Sequence, residues 1–472
     1  MTLPKDLSHL ISEEAKLRKR SPLEEINKYF TDPDIVYLGG GLPMSSYFPW
    51  DNIHATSPSA PFIDGVTSKG NLKTEIAHHE IEEYDIPLNV SLQYGAAAGN
   101  YKLIQFLKEH VEIMHKPKYQ NWGVNLTIGN TQAWNSVLRT FCDPGDVILF
   151  EEFAYPTAIE TARSQKLRIE PMAIDEHGII PEKLEMQLKN WPSDLPMAKI
   201  LYTVCTGQNP TGSSLPIERR KAIYNLASKY DFLVVEDEPY YFLQLDEYST
   251  DSTSTSIATQ TESEFINSLI PSFLSLDVEG RVIRMDSFSK LLAPGVRLGW
   301  MIAQPHVLTL IDRLNETSSS TPSGFTQSLV QGLLGRWGQS GYTEWLMALK
   351  REYTFKRDFT IKTLEKCVPK EVVSFTPPIA GMFFTVFVDA SKHPQWESKF
   401  GKDKSKVERD LYEKTLKNGC LLVPGSWFKA PNFKETESTK FFYRGTYAAT
   451  ALDEVKLGLE RFGEVVREEF NL

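Results

Sequence analysis

The sequence is short of cysteine. Its four cysteines (Cys142, Cys205, Cys367 and Cys420) are scattered, with no C-x-x-C pair. That spacing excludes a disulfide framework and a cysteine-zinc cluster, and it implies reduced, mostly buried thiols. Long apolar runs are also missing: nothing approaches the ~18 residues that span a bilayer. The N-terminal MTLPKDLSHLISEEAKLRKR mixes acids into its basic residues and has no apolar stretch of the secretory kind, and the C-terminal EEFNL matches no retention or peroxisomal address. A cytoplasmic protein is expected. Positive charge is in deficit as well. With 51 Lys and Arg against 61 Asp and Glu, the net charge of -10 disfavours a general polyanion binder, since phosphate backbones are gripped by clustered cations. The compact basic run Lys16 to Arg20 reads as a solvated N-terminal face. Internal repeats are absent.

What is present is an ordinary globular composition over 472 residues, enough for about two to three domains. The first sixty residues are irregular, with glycine and proline clustered in YLGGGLPMSSYFPW, and read as an arm lying over another part of the molecule. From Leu92 to Trp300, apolar runs rich in β-branched and aromatic residues alternate with helical patterns. GVNLTIGN, DVILFEE, AKILYTVC, FLVVEDEP and RVIRMDSFS are the strands; TQAWNSVLRTFC, TAIETARSQ and PIERRKAIYNLASKY are the helices. Such alternation predicts an α/β fold with a mostly parallel sheet covered by helices on both faces. A Ser/Thr-rich stretch of about 247–264 carries too few apolar residues to offset its ordering entropy and reads as a surface insert. After Gly341 a long helix precedes the strand candidates GMFFTVFVDA, CLLVPGSWF and FFYRGTY and a final amphipathic helix. The expected division is an N-terminal arm with part of a small domain over 1–62, a large domain over 63–340 and a smaller α+β domain over 341–472.

Four segments carry chemistry. In SFSKLLAPGVRLGW, Lys290 follows a strand end, with Ser287 and Ser289 before it and Arg297 seven residues on. A neighbouring cation and an enclosed site lower an amine's pKa and free it to attack an aldehyde. Two hydroxyls and a forked guanidinium suit a phosphate. An ordinary surface lysine is the competing reading. In VVEDEPY, Asp237 ends a very apolar strand, where a carboxylate stays ionised only beside a cation. A protonated pyridine nitrogen is such a cation, and the pairing keeps the ring an electron sink; a helix N-cap is the plainer alternative. In TGQNPTG, Asn209 is placed to hydrogen-bond a ring hydroxyl, with Pro210 and Gly212 fixing the turn. In TIGNTQAW, a glycine turn between strand and helix offers backbone N–H groups and the Asn130 and Thr131 side chains to an anion.

These segments, with LGGGLPMSSYFPW, LQYG, PPIAGMFF, PGSWF and YRGTYA, closely resemble the fold-type-I aminotransferases that use pyridoxal 5'-phosphate, in the subgroup of fungal aromatic amino-acid enzymes. The kynurenine/2-aminoadipate aminotransferases are more distant relatives. The resemblance implies a seven-stranded-type sheet in the large domain and a homodimer with shared active sites. It implies that Lys290 bonds the cofactor aldehyde and then shuttles the substrate α-proton, and that Asp237 pairs with the pyridinium. Asn209 and Tyr240 would face the phenolic oxygen, and Tyr155 would stack on the ring. Asn130, Thr131, Ser287, Ser289 and Arg297 would hold the phosphate, and Tyr94 would reach in from the partner subunit. Arg444 would clamp the substrate α-carboxylate, while Gly41, Leu42 and Asn209 line the substrate side. No metal is implied.

The kynurenine/aminoadipate relatives place an arginine after an N-terminal Ser-Pro pair, facing the substrate side chain. Here that stretch reads SPLEE, with Glu24, which favours phenylalanine, tyrosine or tryptophan as donor, with a 2-oxo acid such as 2-oxoglutarate as acceptor. Transamination of 2-aminoadipate or kynurenine is the alternative. A lyase or synthase on the same fold would differ by needing no oxo acid. A sensor that regulates DNA would need a basic recognition helix, and none stands in the roughly forty residues before LGGGLP.

Overall fold

The computed structural model describes residues 1–19, 34–36, 38–39, 41–62, 65–67, 69–248, 260–434 and 437–472. Glu24 and most of the Ser/Thr-rich stretch lie outside them. An antiparallel pair, β1 (Asn52–Ser57) and β2 (Leu72–Ala77), precedes the main sheet. That sheet contains β3 (Gly123–Thr127), β4 (Val147–Glu151) and β5 (Arg168–Met172). A two-residue ladder, β6 (Ile174–Asp175) with β7 (Gly178–Ile179), follows. The sheet resumes with β8 (Ile200–Thr203), β9 (Leu233–Asp237), β10 (Val282–Ser287) and β11 (Gly299–Ala303).

The order across the sheet is β3-β11-β10-β9-β8-β4-β5. Only β11 runs antiparallel to its neighbours. The five strands expected from sequence form as read. β5 and β11 were not anticipated, because RIEPM interrupts its apolar pattern with Glu and Pro, and GWMIA follows the lysine loop with no gap. The apolar runs of β4, β8 and β9 are buried along their whole length, as strands covered on both faces must be. The helix Asn130–Phe141 packs on β3, β10 and β11, while Ile217–Tyr230 packs on β9 and Phe273–Leu276 on β10.

The helical span Gly324–Cys367 breaks at Gly338, where φ is +65°. Leu334 before the break and Leu346 and Leu349 after it lie in the core under the large sheet; Ile361 and Leu364, further on, lie in a second core. Leu7, Leu10, Ile11 and Phe62 from the N-terminal segment pack into the first core. The second core forms under the antiparallel sheet β12 (Val373–Ser374), β13 (Phe383–Asp389), β15 (Lys440–Thr446) and β14 (Val423–Pro424), in that spatial order. Strand alternation divides this sheet's side chains. Phe384, Val386, Val388, Phe441 and Tyr443 enter the second core. Phe383, Thr385, Phe387, Phe442 and Arg444 project from the opposite face, towards the large domain. CLLVPGSWF yields only the short β14 before a 3-10 turn over Gly425–Phe428. Between the domains, Gly207 and Gly381 touch back to back: a Cβ on Gly207 would lie 2.5 Å from the Gly381 Cα, and both have positive φ. Only glycine fits there.

Candidate active site

The carboxyl ends of β9 and β10, the start of the Asn130–Phe141 helix and the small-domain face bearing Arg444 enclose a cavity of about 350 Å³. Its walls include Asn130, Thr131, Tyr155, Asn209, Asp237, Tyr240, Ser287, Ser289, Lys290, Arg297 and Arg444. Residues dispersed over more than three hundred positions thus converge as expected. Tyr94, Gly41 and Leu42 do not line this cavity. Tyr94 is 77% exposed, and around Gly41 there is open space.

One end of the cavity is built entirely of donors. Gly129, with φ +81°, turns β3 into the helix, and a Cβ there would stand 2.5 Å from Arg297 Nη2. Arg297 itself is left-handed, φ +46°. Its guanidinium donates to Ile128 O and Pro294 O, both at 3.0 Å, and approaches Ser289 Oγ at 3.4 Å. Ser287 Oγ donates to Ser289 Oγ at 2.8 Å. The first N–H groups of a helix have no acceptor inside it, and its dipole is positive there. Two hydroxyls, a guanidinium and a helix start form an anion cradle.

The floor is Asp237. It is buried, and its donors are both neutral: Tyr202 Oη to Oδ2 at 2.6 Å, and Asn130 Nδ2 to Oδ1 at 2.6 Å. Burial raises its pKa above the ordinary range, against the pull of those two hydrogen bonds. The Asn130 side chain, expected at the phosphate, turns to this carboxylate, while its backbone N–H stays at the helix start. Its amide is committed to Asp237 and to Met285 O at 3.0 Å, because its helix position turns the side chain towards the strand ends. The helix backbone, Thr131, the serines and Arg297 are left for the anion. Lys290 is half-buried, and burial, then the charge of Arg297, hold its amine below the usual lysine range. Burial pushes the Tyr240 phenol up, and the nearby Asp237 charge adds to this.

Arg444 closes the far side. Its guanidinium lies between the rings of Phe383 and Phe428, 4.3 and 4.9 Å from their centroids. Nη1 donates to Asn209 Oδ1 at 2.7 Å, and Nε is buried with no hydrogen-bond partner. A stacked guanidinium with unspent donors is suited to a carboxylate in fork geometry. Asn209 therefore spends its oxygen on Arg444 and keeps its amide N–H groups as donors. The Asn209–Pro210 peptide is cis.

Sequence reasoning missed Tyr202, Trp134 and Phe428. Trp134 lines the cavity and packs against Tyr202, with ring centroids 4.6 Å apart. A tyrosine within the apolar run ILYT was a signal. Its target was invisible, because Asp237 lies on another strand and only the β8–β9 register brings them together.

The comparisons agree with this geometry. Residues 75–462 match the family model described as aminotransferase class I and II. The chain is 39% identical over 475 residues to a Schizosaccharomyces pombe protein named aromatic amino acid aminotransferase, covering 99% of each. It is 30% identical over 512 residues to a Tapinella panuoides protein named L-tyrosine:2-oxoglutarate aminotransferase, covering 99% of this chain and 97% of that one. The crystal structure of aminotransferase Aro8 from Candida albicans superposes with a TM-score of 0.95 at 50% identity, over 100% of both chains. With the family model spanning most of its length and the lysine, aspartate and two arginines gathered in one cavity, this chain belongs to the class I and II aminotransferases.

Proposed function

We propose that this protein transfers the amino group of an aromatic amino acid to a 2-oxo acid such as 2-oxoglutarate, with pyridoxal 5'-phosphate as cofactor, as a cytoplasmic homodimer. The observation that carries the reading is a buried carboxylate supplied only with neutral donors, set opposite an anion cradle, with an amine of lowered pKa between them. Those groups fit the cofactor's ring nitrogen, phosphate and aldehyde in turn. When bound, pyridoxal phosphate supplies an electrophilic aldehyde and a ring that accepts electrons from the substrate α-carbon.

The chain's own residues do the rest. Thr131, Ser287, Ser289 and Arg297 hold the phosphate. Asp237, oriented by Tyr202 and Asn130, keeps the ring nitrogen protonated. Asn209 and Tyr240 face the phenolic oxygen, and Tyr155 covers the ring. Arg444 binds the donor's α-carboxylate and so turns its single α-hydrogen towards Lys290. The Lys290 amine, neutral more readily than a solvated lysine, takes that proton and returns it. The aromatic preference is supported by the names of both relatives and by Trp134, Tyr155 and Phe383 in the cavity wall. Reduced thiols and a dimer that brings Tyr94 to the neighbouring site accord with the free cysteines and the exposure of Tyr94. Among the described residues no helix is long and apolar enough to cross a membrane.

The visible spectrum of the purified protein tests this. A yellow band is expected that bleaches with phenylalanine and returns with 2-oxoglutarate. Bleaching by 2-aminoadipate alone would overturn the donor assignment. Absence of any band after adding pyridoxal phosphate would overturn the cofactor assignment.

A further inference from the structure

A second cleft, larger than the catalytic cavity at about 740 Å³, opens between the two domains further along the same face of the strand that bears Arg444. No step of the proposed reaction uses it. Its floor is aromatic. Phe153 meets Phe433 and Phe442 with ring centroids 5.3 and 5.0 Å apart, and Phe442 meets Phe387 at 5.6 Å. Its two sides carry opposite charge. The large domain contributes Glu152 and Glu176, and the small domain contributes Lys404, Lys429 and Lys440, with Lys429 on the strap that bridges to Phe153. Several charges of the lining also bond within the protein: Asp175 accepts from both Nη1 and Nη2 of Arg219, at 2.6 and 2.7 Å, Glu408 from the Ser426 N–H at 3.1 Å and Glu152 from the Ile174 N–H at 3.3 Å, while Lys404 donates to Ser438 O at 2.9 Å.

An apolar aromatic floor between an acidic and a basic wall matches one class of small molecule, a zwitterion with an aromatic side chain. Its ammonium would face the acids and its carboxylate the lysines, and the ring would lie on the phenylalanines. The cleft also adjoins the catalytic cavity. Phe153 is two residues from Tyr155, Thr211 two from Asn209, and Phe442 two from Arg444 on the same strand face. The partition between the two spaces is thin. It consists of the strap Phe428–Ala430, paired to Glu152–Ala154 by hydrogen bonds of 2.9 and 3.0 Å, and of Thr385 Oγ1 donating to Thr211 O at 3.4 Å. Phe428 in that strap is one of the two rings that sandwich Arg444.

We propose that this interdomain cleft is a second, non-catalytic binding site for a free aromatic amino acid, whose occupancy is felt at the catalytic site through Tyr155, Asn209 and Arg444. A ligand spanning both walls joins the domains and so biases the placement of Arg444 against Asn209. By linkage, each site then alters the other's affinity by one common factor.

Equilibrium dialysis of the holoenzyme with α-methylphenylalanine, which has no α-hydrogen to lose, counts the sites without turnover. Two equivalents per chain are expected, one accompanied by a change in the visible spectrum and one silent. Lys440→Glu and, independently, Glu176→Lys should each weaken the silent equivalent at least tenfold and leave the spectral one in place; two rim reversals guard against a fold defect in either. A single equivalent tied to the spectral change would overturn the proposal, as would a silent equivalent that survives both reversals. A silent equivalent lost in both variants, with no spectral response from the wild type, would uphold the cleft site and instead sink the catalytic reading.

Discussion

Glu236 and Asp237 are consecutive residues of one strand, both buried, and the protein treats them in opposite ways. Glu236 points to the sheet face under the Ile217–Tyr230 helix. There Arg284 Nη1 lies 3.1 Å and Arg220 Nη1 3.6 Å from its carboxylate, and the Phe273 N–H donates to it at 2.8 Å. Asp237, on the other face, receives a phenol and an amide. A buried carboxylate without a cation is costly, and the fold shows within one strand that it can supply arginines where it needs them. Under the proposed function, the charge balance left open at Asp237 is completed by a ligand cation. Glu236 belongs to the architecture.

Four experiments break or sharpen that contrast. Glu236→Gln removes one carboxylate from a buried cluster in which Arg284 keeps Asp286 and Arg220 keeps Glu238. It should destabilise the fold by roughly 1.5–3 kcal/mol, read by denaturant unfolding, with turnover per folded molecule little changed. Asp237→Asn reverses the pattern. Turnover should fall by about 10²–10³-fold, the scale on which removal of a preorganised electrostatic partner is felt, with an unfolding midpoint no lower than wild type. If the two variants show the same profile, the contrast is wrong. Tyr202→Phe removes one hydrogen bond to a charged acceptor, worth about 1.5–3 kcal/mol. It should lower turnover by about tenfold or more and loosen cofactor retention, while binding of a carboxylate competitor at Arg444 is preserved.

The smallest effect concerns Glu151 on β4. Like Asp237 it is buried with neutral donors, Thr203 at 2.7 Å and Gln208 at 3.0 Å, but it does not line the cavity. With no ligand cation to meet, burial pushes its carboxyl up to about 7. Below about 4.3 the folded and unfolded chains both hold that proton. From there to about 7 only the unfolded chain releases it, so this contribution to stability falls as pH rises and then levels off. The melting temperature of wild type against Glu151→Gln over that range should show a shallower slope in the variant.

The same contrast separates what could be read from the sequence from what could not. Apolar runs with a polar residue at the end announced β8, β9 and β10, and the turn chemistry of TIGN and NPTG placed the loops. Lys290, Arg297 and Asp237 were legible because a lysine, an arginine and an acid at the ends of buried strands conflict with their surroundings unless a ligand is present. The direction of the Asn130 amide was not legible, for a local reason. A helix start offers both its backbone and its side chain, and the sequence does not say which way the amide turns. The second cleft had no sequence signal at all, since Phe153, Phe442, Glu176 and Lys440 come from segments with no common pattern.

The sequence alone determined the inventory: an α/β chain with one amine, one acid, two guanidinium groups and the glycines and proline that turn strands into loops. Those follow from local periodicity and from the cost of burying charge, both properties of short stretches. Only the tertiary structure decided the assignments. It gave Asp237 the Tyr202 hydroxyl and the Asn130 amide instead of an arginine, it stacked Arg444 between Phe383 and Phe428, and it left a charged cleft beside them. Each depends on the register between strands far apart in sequence and on how two domains close, and neither is written in any local segment.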